Sequence, residues 1–288
     1  MKSGYVAIVG RPNTGKSTLL NNILGHKVTV TSPKPQTTRF PIEAVFEDER
    51  GQIIFIDTPG VMGRVDDPVG KKINPKTESR LAQNVDVMVY LIDHTRDRDF
   101  EENKTLGIAR KFKIPKILAV NKSDIKKPDY YPHYKFMEEE FSPTIHISAL
   151  FKWNFNYLLD AIFEYLPEKE KIIKDVETRA TPLLSMDSKQ FIGEIIREKA
   201  YIFLRKEVPY TLVVMVDEIN KKENGVMYIK ARIITNDDRY KRMIIGEKGR
   251  MVKEIGMAAR KELETATNQK VFIDLTVEVN PHWTEEML

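Results

Sequence analysis

The chain has 288 residues, 41% of them hydrophobic, with no cysteine and a net charge of +4. That length suggests two domains with ordinary packed cores, and the missing cysteines exclude disulfides, thiolate metal sites and a thiol nucleophile. No apolar run approaches the ~18 residues of a membrane span and the apolar stretch near the start is too short for a secretory signal, so a cytosolic protein is expected.

Charged residues make up 31% of the chain, above the typical ~25%; a heat-adapted source is one reading and a well-solvated surface the plainer one. Divided between residues 178 and 179, each half carries +2. Gross charge therefore announces no nucleic-acid partner, and such a partner has to be argued from local clustering.

In chain order, residues 4–9 read as a short buried strand, 10–15 as a loop and 16–24 as a helix. Strand-like stretches follow at 51–60 ("GQIIFIDTPG"), 85–93 ("VDVMVYLID"), 115–124 ("PKILAVNKSD") and 144–149 ("TIHISA"), with a helical segment at 101–112. Near-continuous apolar strands spaced by helices predict an α/β domain: a mostly parallel sheet with helices on both faces. In such sheets ligands sit beyond the C-terminal strand ends, and the conspicuous polar motifs all fall there. An amphipathic helix stopped by proline covers 156–167. The expected division is a first domain at 1–170, a charged linker at 171–181 and a second domain at 182–288. The second has an α+β order: a helix at 191–205, strands at 210–219 and 226–235, two helices broken at "GEKG", and a strand at 270–279.

"GRPNTGKS" fits G-x-x-x-x-G-K-[ST], with Gly10, Gly15, Lys16 and Ser17 in the fixed places. The glycines let backbone N–H groups close on phosphate oxygens, Lys16 neutralises β/γ charge, and Ser17 offers a hydroxyl to Mg²⁺. In "DTPG", Asp57 is expected to reach that Mg²⁺ through water and the Gly60 N–H to sense the γ-phosphate. A lone D-x-x-G is usually an ordinary turn; behind a P-loop and a buried strand it gains meaning. In "NKSD", Asn121 and Asp124 stand at a strand end, where a carboxylate accepts both guanine N1–H and N2–H₂. The Ser148–Ala149 backbone suits guanine O6, so GTP is favoured over ATP. The expected nucleotide contacts are thus Gly10, Arg11, Pro12, Asn13, Thr14, Gly15, Lys16, Ser17 and Thr18; Asp57, Thr58, Pro59, Gly60 and Val61; Asn121, Lys122, Ser123 and Asp124; and Ser148, Ala149 and Leu150. Val61 stands where many GTPases carry the glutamine that orients the attacking water, so intrinsic hydrolysis is expected to be slow.

"IIGEKG" cannot be a second P-loop, because no G-K-[ST] follows and the glycines are too close. It fits GXXG, the turn by which KH domains clamp the backbone of about four single-stranded nucleotides. Residues 239–261 carry eight basic and two acidic groups, the clustering that the overall balance hides. The expected RNA contacts are Arg239, Lys241, Arg242, Ile245, Gly246, Glu247, Lys248, Gly249, Arg250 and Lys253.

The order GxxxxGKS, Thr, DxxG, NKxD, SA resembles the translation-factor-related GTPases. With "GRPNTGKSTLLN", "QTTR", "EIIREK", "VPY", "MIIGEKG" and "IGMAARKELE", nearly the whole chain resembles the Era family of GTPases, which carry a C-terminal type II KH domain. The resemblance implies a switch segment at 33–40 whose threonine closes on Mg²⁺. Thr38 is favoured over Thr37, which spacing does not separate, and Mg²⁺ would be held by Ser17, Thr38 and Asp57. It implies catalytic roles for Lys16, Thr38, Gly60 and Asn13, the last holding a K⁺ ion or serving only as a loop cap. It further implies a monomer that binds GTP and GDP, the 3′ end of 16S rRNA and the 30S ribosomal subunit during small-subunit assembly, with peripheral association at the inner face of the cell membrane, for which the residues show no cause. Two departures stand out: "FKWNFNYL" is more aromatic than the glycine-rich loop expected there, and "TPLLSMDSKQF" lacks the usual acidic-aromatic opening. A metabolic enzyme using GTP as phosphoryl donor and a tRNA-modification or large-subunit assembly GTPase are the competing readings. The former lacks a second substrate motif and the latter carry different appended domains.

Overall fold

The computed structural model describes residues 1–25, 42–57, 85–174, 188–205, 207–222, 225–267 and 269–283, and the chain divides into two compact units. The first holds β1 (Lys2–Val9), α1 (Lys16–Leu24), β2 (Ile42–Asp48), β3 (Gly51–Asp57), β4 (Val87–Asp93), α2 (Phe100–Ala109), β5 (Lys116–Asn121), β6 (Thr144–His146) and α3 (Phe155–Tyr165). The strands form one sheet in the order β2-β3-β1-β4-β5-β6. All neighbours pair in parallel except β2, which runs antiparallel to β3.

Strand β2 was not anticipated from the sequence. Among the described residues it has a neighbour on one side only, and it carries Glu43, Glu47 and Asp48, charges that a parallel strand buried on both faces lacks. Its connection to β3 is tight: the Arg50 N–H donates to Asp48 Oδ1 at 2.9 Å. The central strands behave as their apolar runs require. Val6, Val9, Tyr90, Ile92, Leu118 and Val120 are fully buried, each contributing about 1.5–3 kcal/mol by leaving water. Two 3₁₀ turns, Tyr131–His133 and Lys135–Glu139, cap this core with buried Tyr134, Met137 and Phe141. Residues 171–173, expected in the linker, are bound to the sheet edge. Gln52 exchanges two hydrogen bonds of 2.9 Å with the Ile173 backbone, and Lys171 pairs with Glu47.

The second unit holds α4 (Ser188–Phe203), a 3₁₀ turn (Val208–Thr211), β7 (Leu212–Lys221), β8 (Met227–Thr235), α5 (Asp238–Ile245), α6 (Arg250–Thr267) and β9 (Val271–Val279). The sheet order is β7-β8-β9. β7 and β8 are antiparallel, with an irregularity between Val216 and Glu218, and β8 and β9 are parallel. The helices share one core with the sheet. Ile255, Ala259 and Leu263, spaced by four on α6, are buried with Ile195, Ile196 and Ala200 of α4 and Ile229, Ala231 and Ile233 of β8, the stripe expected of an amphipathic helix. No helix among the described residues is long and apolar enough to cross a membrane.

Candidate nucleotide and RNA sites

Strands β1, β4, β5 and β6 end at one edge of the first sheet, which gathers the loops that follow them. Gly15 has φ +101°, and a Cβ there would lie 2.3 Å from Asn121 Nδ2; only glycine fits this close, left-handed approach. Asn13 is also left-handed, at φ +65°, and is exposed. Lys16 opens α1, and its Nζ donates to the carbonyls of Gly10 at 2.8 Å and Arg11 at 2.9 Å. The ammonium therefore spans the loop, where an anion would compete for it. Pro12 and Thr14 are buried, and Ser17 and Thr18 are partly so in the first turn of α1. The Thr14 hydroxyl donates to the Arg11 carbonyl at 3.1 Å.

The Arg11 side chain is committed to the protein interior. Its guanidinium is fully buried and donates to Asp99 Oδ2 and the Asp97 carbonyl at 2.8 Å, to the Tyr134 hydroxyl at 3.0 Å and to the Arg96 carbonyl at 3.2 Å. Its Nε lies 3.2 Å from Glu102 Oε2. What Arg11 presents toward Lys16 is its backbone carbonyl. Burial pushes the Glu102 carboxyl up, against the opposing pull of the Tyr90 hydroxyl and the Arg11 charge, and Tyr90 donates to it at 2.6 Å. Arg96 in turn donates to the Pro12 carbonyl at 3.2 Å. The segment after β4 thus grips the P-loop from behind at two successive residues.

The base-side loops are joined by one amide. Asn121, at the end of β5, donates from Nδ2 to the Thr14 carbonyl at 2.7 Å and accepts from the Ala149 N–H at 2.8 Å. It ties the P-loop to the Ser148–Ala149 loop. The Ala149 N–H, expected for guanine O6, is engaged by Asn121 in this structure, and the Ala149 carbonyl accepts from Asn22 at 2.7 Å. Lys122 is left-handed at φ +64°, with its ammonium 2.5 Å from buried Asp93. Ser123 donates from its hydroxyl to the Val120 carbonyl at 2.9 Å. Asp124 is half-buried, and its carboxylate has no hydrogen-bond partner among the described residues, so its acceptor capacity is uncommitted. Ser148 is buried, while Leu150, Phe151 and Trp153 are exposed.

Thr38, Thr58, Pro59, Gly60 and Val61 lie outside the described residues, as do the rest of the segment 33–40 with Thr37 and the side chain of Asp57. The Asp57 backbone is registered opposite Ile8, two residues before Gly10. Asp93, Arg96, Asp99, Glu102 and Asn22 were missed in the sequence. Asp93 had a visible signal, a carboxylate closing an apolar strand; Asn22, inside a helix, had none.

In the second unit, α5 and α6 meet at the GXXG turn. Asp237 caps α5, accepting from the Arg239 N–H at 2.6 Å. Gly246 has φ +71°, and a Cβ there would meet Met251 Cβ at 2.7 Å. Lys248 is left-handed at φ +50°, which lifts it out of the turn. Arg239, Arg242, Glu247, Lys248, Arg250 and Lys253 are exposed, and Lys241, Ile245, Gly246 and Gly249 partly so. Burial of Ile244 and Ile255 orients these groups outward. Arg260, in the same basic run, is paired with Glu264 at 3.0 Å.

A family model described as 50S ribosome-binding GTPase matches residues 5–122, and a KH domain model matches 207–284. The GTPase Era of Halothermothrix orenii is 37% identical over 295 residues, covering 99% of this chain and 95% of that protein. That of Carboxydothermus hydrogenoformans is 38% identical over 286 residues, covering 98% and 94%. The chain belongs to the Era family. Two solved Era structures agree. One, from Aquifex aeolicus and bound to GDP and AlF₄⁻, superposes with a TM-score of 0.90 at 35% identity, covering 100% of this chain and 97% of that one. The other, in complex with MgGDPNP and nucleotides 1506–1542 of 16S ribosomal RNA, has a TM-score of 0.90 at 36% identity, covering 100% and 96%. As an Era-family protein the chain is a GTP-hydrolysing enzyme with an RNA-binding KH domain.

Proposed function

We propose that this protein is a slow GTP switch that holds the single-stranded 3′ end of 16S rRNA during assembly of the 30S subunit. The observation that carries the reading is one chain with two phosphate-binding turns of different kinds. One is a P-loop joined by Asn121 to a base loop that leaves Asp124 open for guanine. The other is a GXXG turn between outward-facing basic helices. The relative solved with nucleotides 1506–1542 of 16S ribosomal RNA supports that choice of RNA. The division is a GTPase domain at 1–170 with residues 171–173 bonded to its sheet, a linker beyond them to 181 and a KH domain at 182–288.

The site residues are those named from the sequence, with Arg11 acting through its backbone. Lys16 leaves the Gly10 and Arg11 carbonyls for the β/γ-phosphates, and the loop, too narrow for a Cβ at Gly15, brings N–H groups against them. Mg²⁺ would be held by Ser17, Thr38 and Asp57, and when bound it neutralises charge developing on the transferred phosphoryl group. With Val61 where a water-orienting glutamine is common, this chain supplies no side-chain orienter at that place. We assign K⁺ to Asn13, which is exposed and left-handed in the loop. The protein works as a cytoplasmic monomer.

The test is a pair of titrations on Gly249→Asp, one with labelled guanine nucleotide and one with a short single-stranded RNA. RNA binding is expected to vanish, because a carboxylate then faces phosphates, while nucleotide affinity stays within about twofold. The reverse pattern would assign the two turns the wrong way round.

A further inference from the structure

Asp93 of β4 is registered opposite Asn121 of β5, so His94 and Lys122 leave the first sheet as neighbours. His94 is buried, and no nucleotide motif contains it. Its Nε2 donates to the Lys122 carbonyl at 3.0 Å, which fixes a proton there, because a carbonyl only accepts. The same carbonyl accepts from the Ile125 N–H at 2.8 Å and closes the turn that carries Asp124. At the far end of the loop, His94 Nδ1 lies 3.0 Å from Asp129 Oδ1, an ion pair when the ring is protonated. That carboxylate also accepts from the Tyr131 N–H at 2.9 Å, and the His94 carbonyl accepts from the Tyr130 N–H at 2.8 Å. One residue thus binds both ends of the loop 122–130. Asp93 takes the Lys122 ammonium and is itself held by the Thr95 N–H at 3.0 Å and hydroxyl at 2.6 Å.

We infer that His94 is a positioning residue for guanine recognition: it fixes the Lys122 carbonyl, and through that turn it fixes the place of Asp124. The inference rests on Asp124 reading guanine. The Asp124 carboxylate has no hydrogen-bond partner among the described residues, so its backbone alone sets where it stands. That backbone follows a non-glycine residue at φ +64°, Lys122, a conformation that persists only where surrounding bonds hold it. The Ser123 N–H, donating to the Ile147 carbonyl at 3.0 Å, is one such bond, and the His94 ring supplies another. Imidazole suits the place because it is rigid and its two nitrogens reach two separate acceptors. A side chain without them leaves the Lys122 carbonyl one donor short and releases Asp129, whose carboxyl the Tyr131 N–H and the His94 ring hold below its ordinary range.

The experiment measures GDP affinity and steady-state GTP hydrolysis in full-length variants. Glutamine places an amide nitrogen where Nε2 stands and asparagine places one where Nδ1 stands, so the pair separates the two ring contacts. His94→Ala is expected to weaken GDP about five- to tenfold, the share of one hydrogen bond. KM for GTP should rise by the same factor with kcat little changed, because the phosphate end is untouched and slow chemistry lets KM follow binding. His94→Asn should match His94→Ala, and it carries the comparison if the alanine variant does not fold. His94→Gln, which keeps the donor to Lys122, should bind within about twofold of the parent. In an Asp124→Ala background, His94→Ala should cost nothing further. Parent-like affinity in both His94→Ala and His94→Asn would overturn the inference. So would an equal loss in the Asp124→Ala background, which marks a general loosening, or rescue by asparagine rather than glutamine, which gives the role to the Asp129 contact. Parent-like GDP affinity in Asp124→Ala alone would instead overturn the reading of Asp124 on which the inference rests.

Discussion

Substituting Gly15 with alanine tests the coupling between phosphate and base loops more sharply than removing a ligand-facing group. The new Cβ would lie 2.3 Å from Asn121 Nδ2, whereas ordinary contact begins near 3.4 Å. The amide must therefore retreat by about 1.1 Å. Its two hydrogen bonds, 2.7 Å to the Thr14 carbonyl and 2.8 Å from the Ala149 N–H, cannot both survive that shift. Losing two buried hydrogen bonds costs about 1 kcal/mol each, and holding alanine in the left-handed region adds about 1–2 kcal/mol. The sum, about 3–4 kcal/mol, divides between fold stability and nucleotide affinity. If half falls on affinity, guanine nucleotide binding weakens at least tenfold, and the melting temperature falls by about 4–8 °C. Titration with a fluorescent GDP analogue and a thermal melt of the same preparation measure the two shares. A dissociation constant within twofold of the parent, with an unchanged melt, would show that Asn121 does not brace these loops.

Asp124→Asn replaces an acceptor with a donor facing guanine N1–H, so GTP affinity should drop and xanthosine triphosphate should bind in its place; competition between the two nucleotides reads this directly. Arg11→Met should destabilise the first unit by about 3–5 kcal/mol, because buried Glu102 loses its cation. The deficit has a defined pH dependence. Burial already raises the Glu102 carboxyl above its ordinary value in the fold, so the folded state binds the extra proton and its stability falls as pH rises through that range. Removing Arg11 raises the carboxyl further. Urea denaturation should find a constant deficit at low pH, from the lost bonds of Arg11 to Asp99, Tyr134 and the carbonyls of Asp97 and Arg96, and a larger one as pH rises past the parent's raised Glu102 titration; a deficit independent of pH would show that the Glu102 charge carries none of it. For Asn13, hydrolysis should run faster in K⁺ than in Na⁺ at equal ionic strength; equal phosphate release in both salts would make it a loop cap only.

The parts of the fold that were legible from sequence are those where one physical demand acts alone. Strands buried on both faces, such as those through 87–92 and 117–120, must be apolar there, and the stripe of Ile255, Ala259 and Leu263 must recur every helical turn. Strand β2 escaped because an edge strand tolerates charge. The motifs of the nucleotide site were legible because glycine and lysine spacing is fixed by phosphate geometry. What braces those motifs was not. Arg11 reads as one more residue of the loop, yet its partners Asp99, Glu102 and Tyr134 lie far along the chain, and only the closed sheet brings them together. The Asn121 amide likewise reads as a base contact, while its bonds to Thr14 and Ala149 depend on three strand ends meeting.

The parallel pairing of β8 with β9 has a mechanical consequence. Parallel neighbours cannot be joined by a hairpin, so residues 236–270, with both basic helices and the GXXG turn, form a crossover strap anchored at each end in an unbroken register from Met227↔Val271 to Thr235↔Val279. A pull on bound RNA loads that strap at its middle, and the tension passes into the two paired strands at its ends. The load on a clamped strand is thus shared by both strands rather than borne at one end of the unit.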